Sequence, residues 1–178
     1  MSRKKIGINE REIIKYIGLG AMVLMALTSS SPKLPKAILK IIQEKGPGYL
    51  SKMLKKLADK NVIYLGGEKV RLTKKGRELF KLINLQNMEI PKPKEWDGIW
   101  RLVSYDIPDI SKKKRDWFRE ILESLDFKKI QESLYVYPYE CKEEIAIIAR
   151  NLGVASEVLY MSTDHLPNQK NIIKKFDL

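Results

Sequence analysis

The sequence predicts an α+β chain, with an N-terminal winged helix-turn-helix followed by a ferredoxin-like β-α-β-β-α-β domain. Three observations predict it. Residues 1–95 hold 21 Lys and Arg against 8 Asp and Glu, a net of +13, whereas residues 96–178 hold 13 against 14, a net of −1. The first half orders helical patterns around a glycine hairpin signal, and the second alternates strand and helix patterns across a proline-bearing break. The expected division is a DNA-binding domain at 1–87, a linker at 88–95 and a dimerisation domain at 96–178. A basic module joined to a near-neutral one points to a polyanionic partner, first nucleic acid and second an anionic membrane surface.

The first helix is expected from Asn9 and Glu12, spaced as a capping box. The run YIGLGAMVLMAL, Tyr16 to Leu27, follows MSRKK and so resembles a signal peptide, but its 12 apolar-core residues fall short of the ~20 that span a bilayer. It reads as buried helix. Pro32 and Pro35 then break the chain, and Ala37, Ile38, Ile41 and Ile42 mark a second helix. After the Gly46-Pro47-Gly48 turn, Leu50, Met53, Leu54 and Leu57 fall at i, i+3, i+4 and i+7 and form the buried stripe of a third helix.

That spacing turns Lys52, Lys55, Lys56 and Lys60 to the other side. VIYLGGEKVRLT reads as a hairpin about Gly66-Gly67, since glycine accepts the positive φ of a two-residue turn, and Lys69 and Arg71 share one face of the returning strand. KKGRELFKLI closes the module as a helix. In this arrangement the third helix enters a major groove and the wing follows phosphates. Lysine lacks the guanidinium fork that reads guanine, so these lysines are expected to position the protein; Tyr49, Ser51 and Lys52 are the candidates nearer base edges. A solvated lysine face is the plain alternative.

MEIPKPKE, Met88 to Glu95, reads as a stiff linker. WDGIWRLVSYDI then gives a strand, SKKKRDWFREILESL a helix, DFKKIQESLYVYPY two strands, CKEEIAIIARNL a helix and EVLYMS a strand, the ferredoxin-like order. Helices on one face would leave the other face of the sheet open to a second copy. Trp96, Trp100, Trp117 and Phe118 are expected in the core or an interface.

Two families share features with this half. YDIPDISKKKRDWFREILESLDFKKIQESLYVYP resembles the small CRISPR-associated protein two of spacer acquisition, with Phe127, Gln131, Ser133, Leu134 and Tyr135 on that family's pattern. The whole chain resembles the PaaX-type repressors of phenylacetate catabolism, with WDGIWRLVSYDIP and the ending KKFDL. The second resemblance implies a cytoplasmic homodimeric repressor that binds double-stranded DNA at a palindromic site. Relatives of that kind are expected to respond to acyl-coenzyme A. This chain is expected to lack much of the longer members' C-terminal region, and its effector is unknown.

The first resemblance implies instead that Asp106, paired across a dimer, holds Mg²⁺ or Mn²⁺ in an endonuclease; Asp109, three residues on, is the further carboxylate that could aid it. Chemically one carboxylate per chain is a poor magnesium site. Asp106-Ile107-Pro108 also serves as a strand exit before the helix that begins near Ser111. Lys112, Lys113, Lys114 and Arg115 are candidates for a further nucleic-acid contact, or a solvated helix start. The regulator reading expects no cofactor. A single Cys141 and a single His165 exclude an internal disulfide and offer no zinc spacing, which suits a reducing cytoplasm.

Overall fold

The computed structural model describes residues 6–18, 36–66 and 69–178. It divides into two compact units, 1–84 and 85–178. Most of the apolar run Tyr16–Leu27, together with Pro32, Pro35 and the hairpin residues Gly67 and Glu68, lies outside the described residues. Among the described residues, no helix is long and apolar enough to cross a membrane.

The first unit orders helices α1 (Ile8–Gly18), α2 (Lys36–Lys45) and α3 (Pro47–Asp59), strands β1 (Ile63–Gly66) and β2 (Lys69–Leu72), and helix α4 (Lys74–Gln86), which runs two residues past the division. α1 starts one residue before Asn9. Its first turn is held by Glu10, whose Oε2 accepts the Gly7 amide at 2.8 Å, so the Asn9–Glu12 capping box is replaced by a Gly7–Glu10 bond. Glu12 pairs instead with Lys15 at 3.5 Å. The physical reason is that Glu10 is drawn inward by two lysines, described below, and the turn closes on it.

Gly46 joins α2 to α3 with a φ of 82°, a conformation open to glycine, and Pro47 begins α3, where a missing amide costs nothing. Leu50, Met53, Leu54 and Leu57 are all buried, as their spacing requires, against Ile13, Ile14 and Ile17 of α1 and Ile38 and Ile41 of α2. α3 ends with Asn61 in the left-handed region, Val62 N–H bonded to the Leu57 carbonyl and Asn61 N–H to that of Ala58. β1 pairs antiparallel with β2, Gly66 opposite Lys69.

Thr73 ties the end of α3 to the start of α4. Its hydroxyl donates toward the Asn61 and Val62 carbonyls, at 2.7 and 3.1 Å, and accepts the Gly76 amide at 3.0 Å. Gly76 is then forced: a Cβ there would lie 2.0 Å from the Val62 carbonyl oxygen.

The second unit comprises β3 (Trp100–Tyr105), α5 (Lys112–Ser124), β4 (Lys128–Gln131), β5 (Leu134–Tyr137), α6 (Lys142–Leu152), β6 (Val158–Thr163) and α7 (Gln169–Phe176). α5 and α6 close as α3 does, through a left-handed residue, Asp126 and Gly153 respectively. The sheet is antiparallel in the order β4-β5-β3-β6, as a ferredoxin-like β-α-β-β-α-β plan requires. The register puts Val103 opposite Tyr135 and Tyr160, and Arg101 opposite Tyr137. Val103, Tyr135 and Tyr137 are buried with Phe118, Ile121 and Leu122 of α5 and Ile145 and Ile148 of α6; Tyr105 meets the Phe118 ring edge-on at 5.3 Å.

The other face of the sheet is not wholly open. Helix α7, which the sequence pattern does not suggest, lays Ile172, Ile173 and Phe176 against a cluster of Trp100, Val136 and Leu166, joined by Trp96. Leu159 and Met161 of β6 remain exposed. The segment before β3 has no helix or strand, yet Ile90 is buried and Lys92 lies 3.7 Å from Asp126.

Candidate nucleic-acid interface

Helix α3 sorts its side chains by the same periodicity that buries its leucines. Ser51, Lys52 and Lys55 stand in solvent. Lys56 and Lys60 turn toward α1, where the Glu10 Oε1 lies 3.0 Å from the Lys56 Nζ and 2.9 Å from that of Lys60. Glu10 is only 2% exposed. Burial would push its carboxyl up, but hydrogen bonds from Lys60, the Gly7 amide and Lys56 outweigh that and hold it below its ordinary value. A buried carboxylate therefore fixes one edge of the lysine face. The Lys56 side chain stays 60% exposed, whereas that of Lys60 is only 23% exposed.

Tyr49 is half-buried and packs on the core, and its hydroxyl accepts from the Asn9 Nδ2 at 3.4 Å. The residue expected near base edges thus also braces α3 against α1. On the hairpin, Arg71 is exposed and lies opposite Tyr64, and Lys69 pairs with Gly66 in the strand register. At the base of α4, Lys75 donates to the Lys60 carbonyl at 2.7 Å and Arg77 to that of Leu72 at 3.0 Å.

In the second unit Asp106 is exposed at the end of β3, and its amide donates to the Glu157 carbonyl at 2.9 Å. Its neighbour Asp109 is committed elsewhere: Arg115 reaches its Oδ1 at 2.8 Å and donates to the Ile107 carbonyl at 3.2 Å. Arg115 thereby clamps the turn that carries the chain from strand to helix. Lys114 donates to the Gly153 carbonyl at 3.0 Å, Lys113 sits 4.3 Å over the Trp117 ring, and Lys112 is exposed. Among the described residues no three His, Cys, Asp or Glu side chains gather to hold a metal, and His165 is exposed on a distant loop.

Arg101 is the most heavily bonded side chain of this unit, and sequence reasoning did not single it out. It is 6% exposed, and its guanidinium grips both Asp97 oxygens at 2.7 and 2.6 Å, Glu140 at 3.3 Å, and the Ile99 and Pro138 carbonyls at 2.7 and 3.0 Å. The Asp97 hydrogen bonds, against burial, hold its proton more tightly than usual. Glu140 also accepts from the Tyr160 hydroxyl at 3.0 Å. Cys141, beside it, is fully buried, and burial pushes its thiol up to about 12. The arrangement is a structural knot that anchors the sheet, with the thiol packed inside.

Fold and site together define an α+β protein whose second unit has an antiparallel, ferredoxin-like sheet. Residues 93–173 match the family model for the PaaX protein central Cas2-like domain, so the second half of the chain is similar to that domain. No curated protein matches the chain significantly.

Proposed function

We propose that this chain is a homodimeric DNA-binding transcriptional regulator of the PaaX-like type, a repressor working in the cytoplasm. The first unit acts as a winged helix-turn-helix: α3 is the recognition helix and the β1–β2 hairpin the wing. The Cas2-like unit sets the distance between two such modules, so the DNA site is an inverted repeat.

The observation that carries this reading is the outward set Ser51, Lys52 and Lys55 on α3, with Arg71 on the hairpin, in the half of the chain that holds all the excess positive charge. Such a surface gains affinity by releasing counterions from phosphates. Lys56 contributes with its largely exposed side chain, whereas Lys60 and Tyr49 act chiefly by holding α3 in place. The test is duplex affinity at two salt concentrations. Salt-sensitive binding supports the reading; no affinity for any duplex at low salt contradicts it and favours a scaffold that binds protein.

The endonuclease alternative requires Asp106 from a second copy, since Asp109 is taken by Arg115. It predicts cleavage in Mn²⁺ that Asp106→Ala abolishes.

A further inference from the structure

The hairpin carries an aromatic side chain that its fold does not need. Ile63, Val70 and Leu72 of the two strands face the core, Ile63 and Val70 buried and Leu72 packed against the same cluster. Tyr64 points the opposite way and is 65% exposed. The edge of its ring reaches the space beside Gly66, where a Cβ would fall 2.4 Å from a ring carbon. Glycine two residues along leaves that space to the ring. Directly across the ladder stands Arg71, exposed, and Gly66 is opposite Lys69. One outward face therefore combines an exposed phenol with the cation of Arg71.

We propose that Tyr64 is a nucleic-acid-binding residue of the hairpin. Its ring packs against the sugar wall of a duplex groove and its hydroxyl donates to a phosphate oxygen, while Arg71 pairs with a phosphate on the same strand. This deepens the DNA-binding reading and rests on it. The occupant is a polyanion with apolar sugar edges, because a purely ionic partner would give the exposed ring nothing to cover and an apolar partner would leave Arg71 unpaired.

The experiment measures fluorescence-anisotropy affinity of the full chain for a labelled mixed-sequence DNA duplex over a salt series. Tyr64→Thr keeps a strand-forming residue, Tyr64→Phe keeps the ring beside Gly66, and circular dichroism confirms that each variant is folded. Tyr64→Thr is expected to bind roughly fivefold to thirtyfold more weakly with an unchanged salt slope, because the interaction it removes is not ionic. Tyr64→Phe is expected to forfeit only part of that. Arg71→Ala is expected to flatten the slope by about 0.9. Folded Tyr64→Thr with the affinity of the unaltered chain overturns the proposal and leaves the DNA-binding reading standing. Failure of the unaltered chain to bind duplex overturns that reading itself.

Discussion

The carboxylate of Glu10 lies 2.9 Å from the ammonium of Lys60, joining the first turn of α1 to the last turn of α3 inside the basic unit. Lys56 reaches the same oxygen at 3.0 Å. A helix proposed to enter a DNA groove is thus oriented from behind by an ion triad that the acid side contributes from almost complete burial.

Glu10→Gln should destabilise the first unit by about 1–3 kcal/mol, the cost of losing charge-assisted hydrogen bonds to a buried group, at the low end because the Lys56 side chain is largely exposed. The sign with pH follows from a carboxyl held below its ordinary value. The stabilisation is complete above the ordinary value of 4.5 and is lost as pH falls through the lower folded value. Thermal midpoints of the two proteins across acidic pH test this: their difference should shrink with acid, and a constant difference would rule out a charged Glu10.

Gly76→Ala should destabilise the fold even though alanine is the better helix former by about 1 kcal/mol. The added methyl meets the Val62 carbonyl oxygen at 2.0 Å, and the resulting shift of backbone is expected to cost about 1–3 kcal/mol net. Denaturant midpoints check it. A stabilised variant would mean that α4 can move off the end of α3.

Arg101→Leu should cost the second unit about 2–4 kcal/mol, less than a fully buried pair because Asp97 and Glu140 reach solvent. Arg101→Lys should recover little, since an ammonium cannot span both Asp97 oxygens and two carbonyls. Unfolding curves of both variants read this directly; equal stability of Arg101→Lys and the unaltered chain would show that the fork is dispensable.

Cys141, buried with its thiol raised to about 12, should react with a thiol reagent only on unfolding. Native protein at neutral pH is expected to label far more slowly than protein in denaturant. Rapid native labelling would show that the knot around Arg101 and Tyr160 opens readily.

Much of this fold was legible in the chain, and the failures have physical causes. The stripe of Leu50, Met53, Leu54 and Leu57 and the β-α-β-β-α-β order follow from periodicity, which local sequence records. The helix cap shifted from Asn9 to Gly7 because Glu10 answers to Lys56 and Lys60, some 50 residues away in sequence. Helix α7 leaves little local signal: it follows Pro167 and a left-handed Asn168, is 8 residues long, and owes its place to packing on Trp100 and Val136. Arg101 sits inside an apolar strand pattern where arginine is ordinarily solvated, and its partners Asp97 and Glu140 come from separate segments. The lysine face was visible, but its division into outward Lys52 and Lys55 and clamped Lys60 depends on α1. Tyr64 reads in sequence as an ordinary strand aromatic; only its exposure and its place beside Gly66 set it apart.

The most direct measurement is the salt dependence of duplex DNA binding by the unaltered chain, by Lys52→Ala/Lys55→Ala and by Lys60→Ala. Removing the outward pair should weaken binding and flatten the slope of log affinity against log salt by up to about 1.8, or 0.9 for each phosphate no longer neutralised. Lys60→Ala should lower stability with little change of slope. An unchanged affinity and slope in a folded Lys52→Ala/Lys55→Ala variant would contradict the assignment of α3 as the DNA-reading helix.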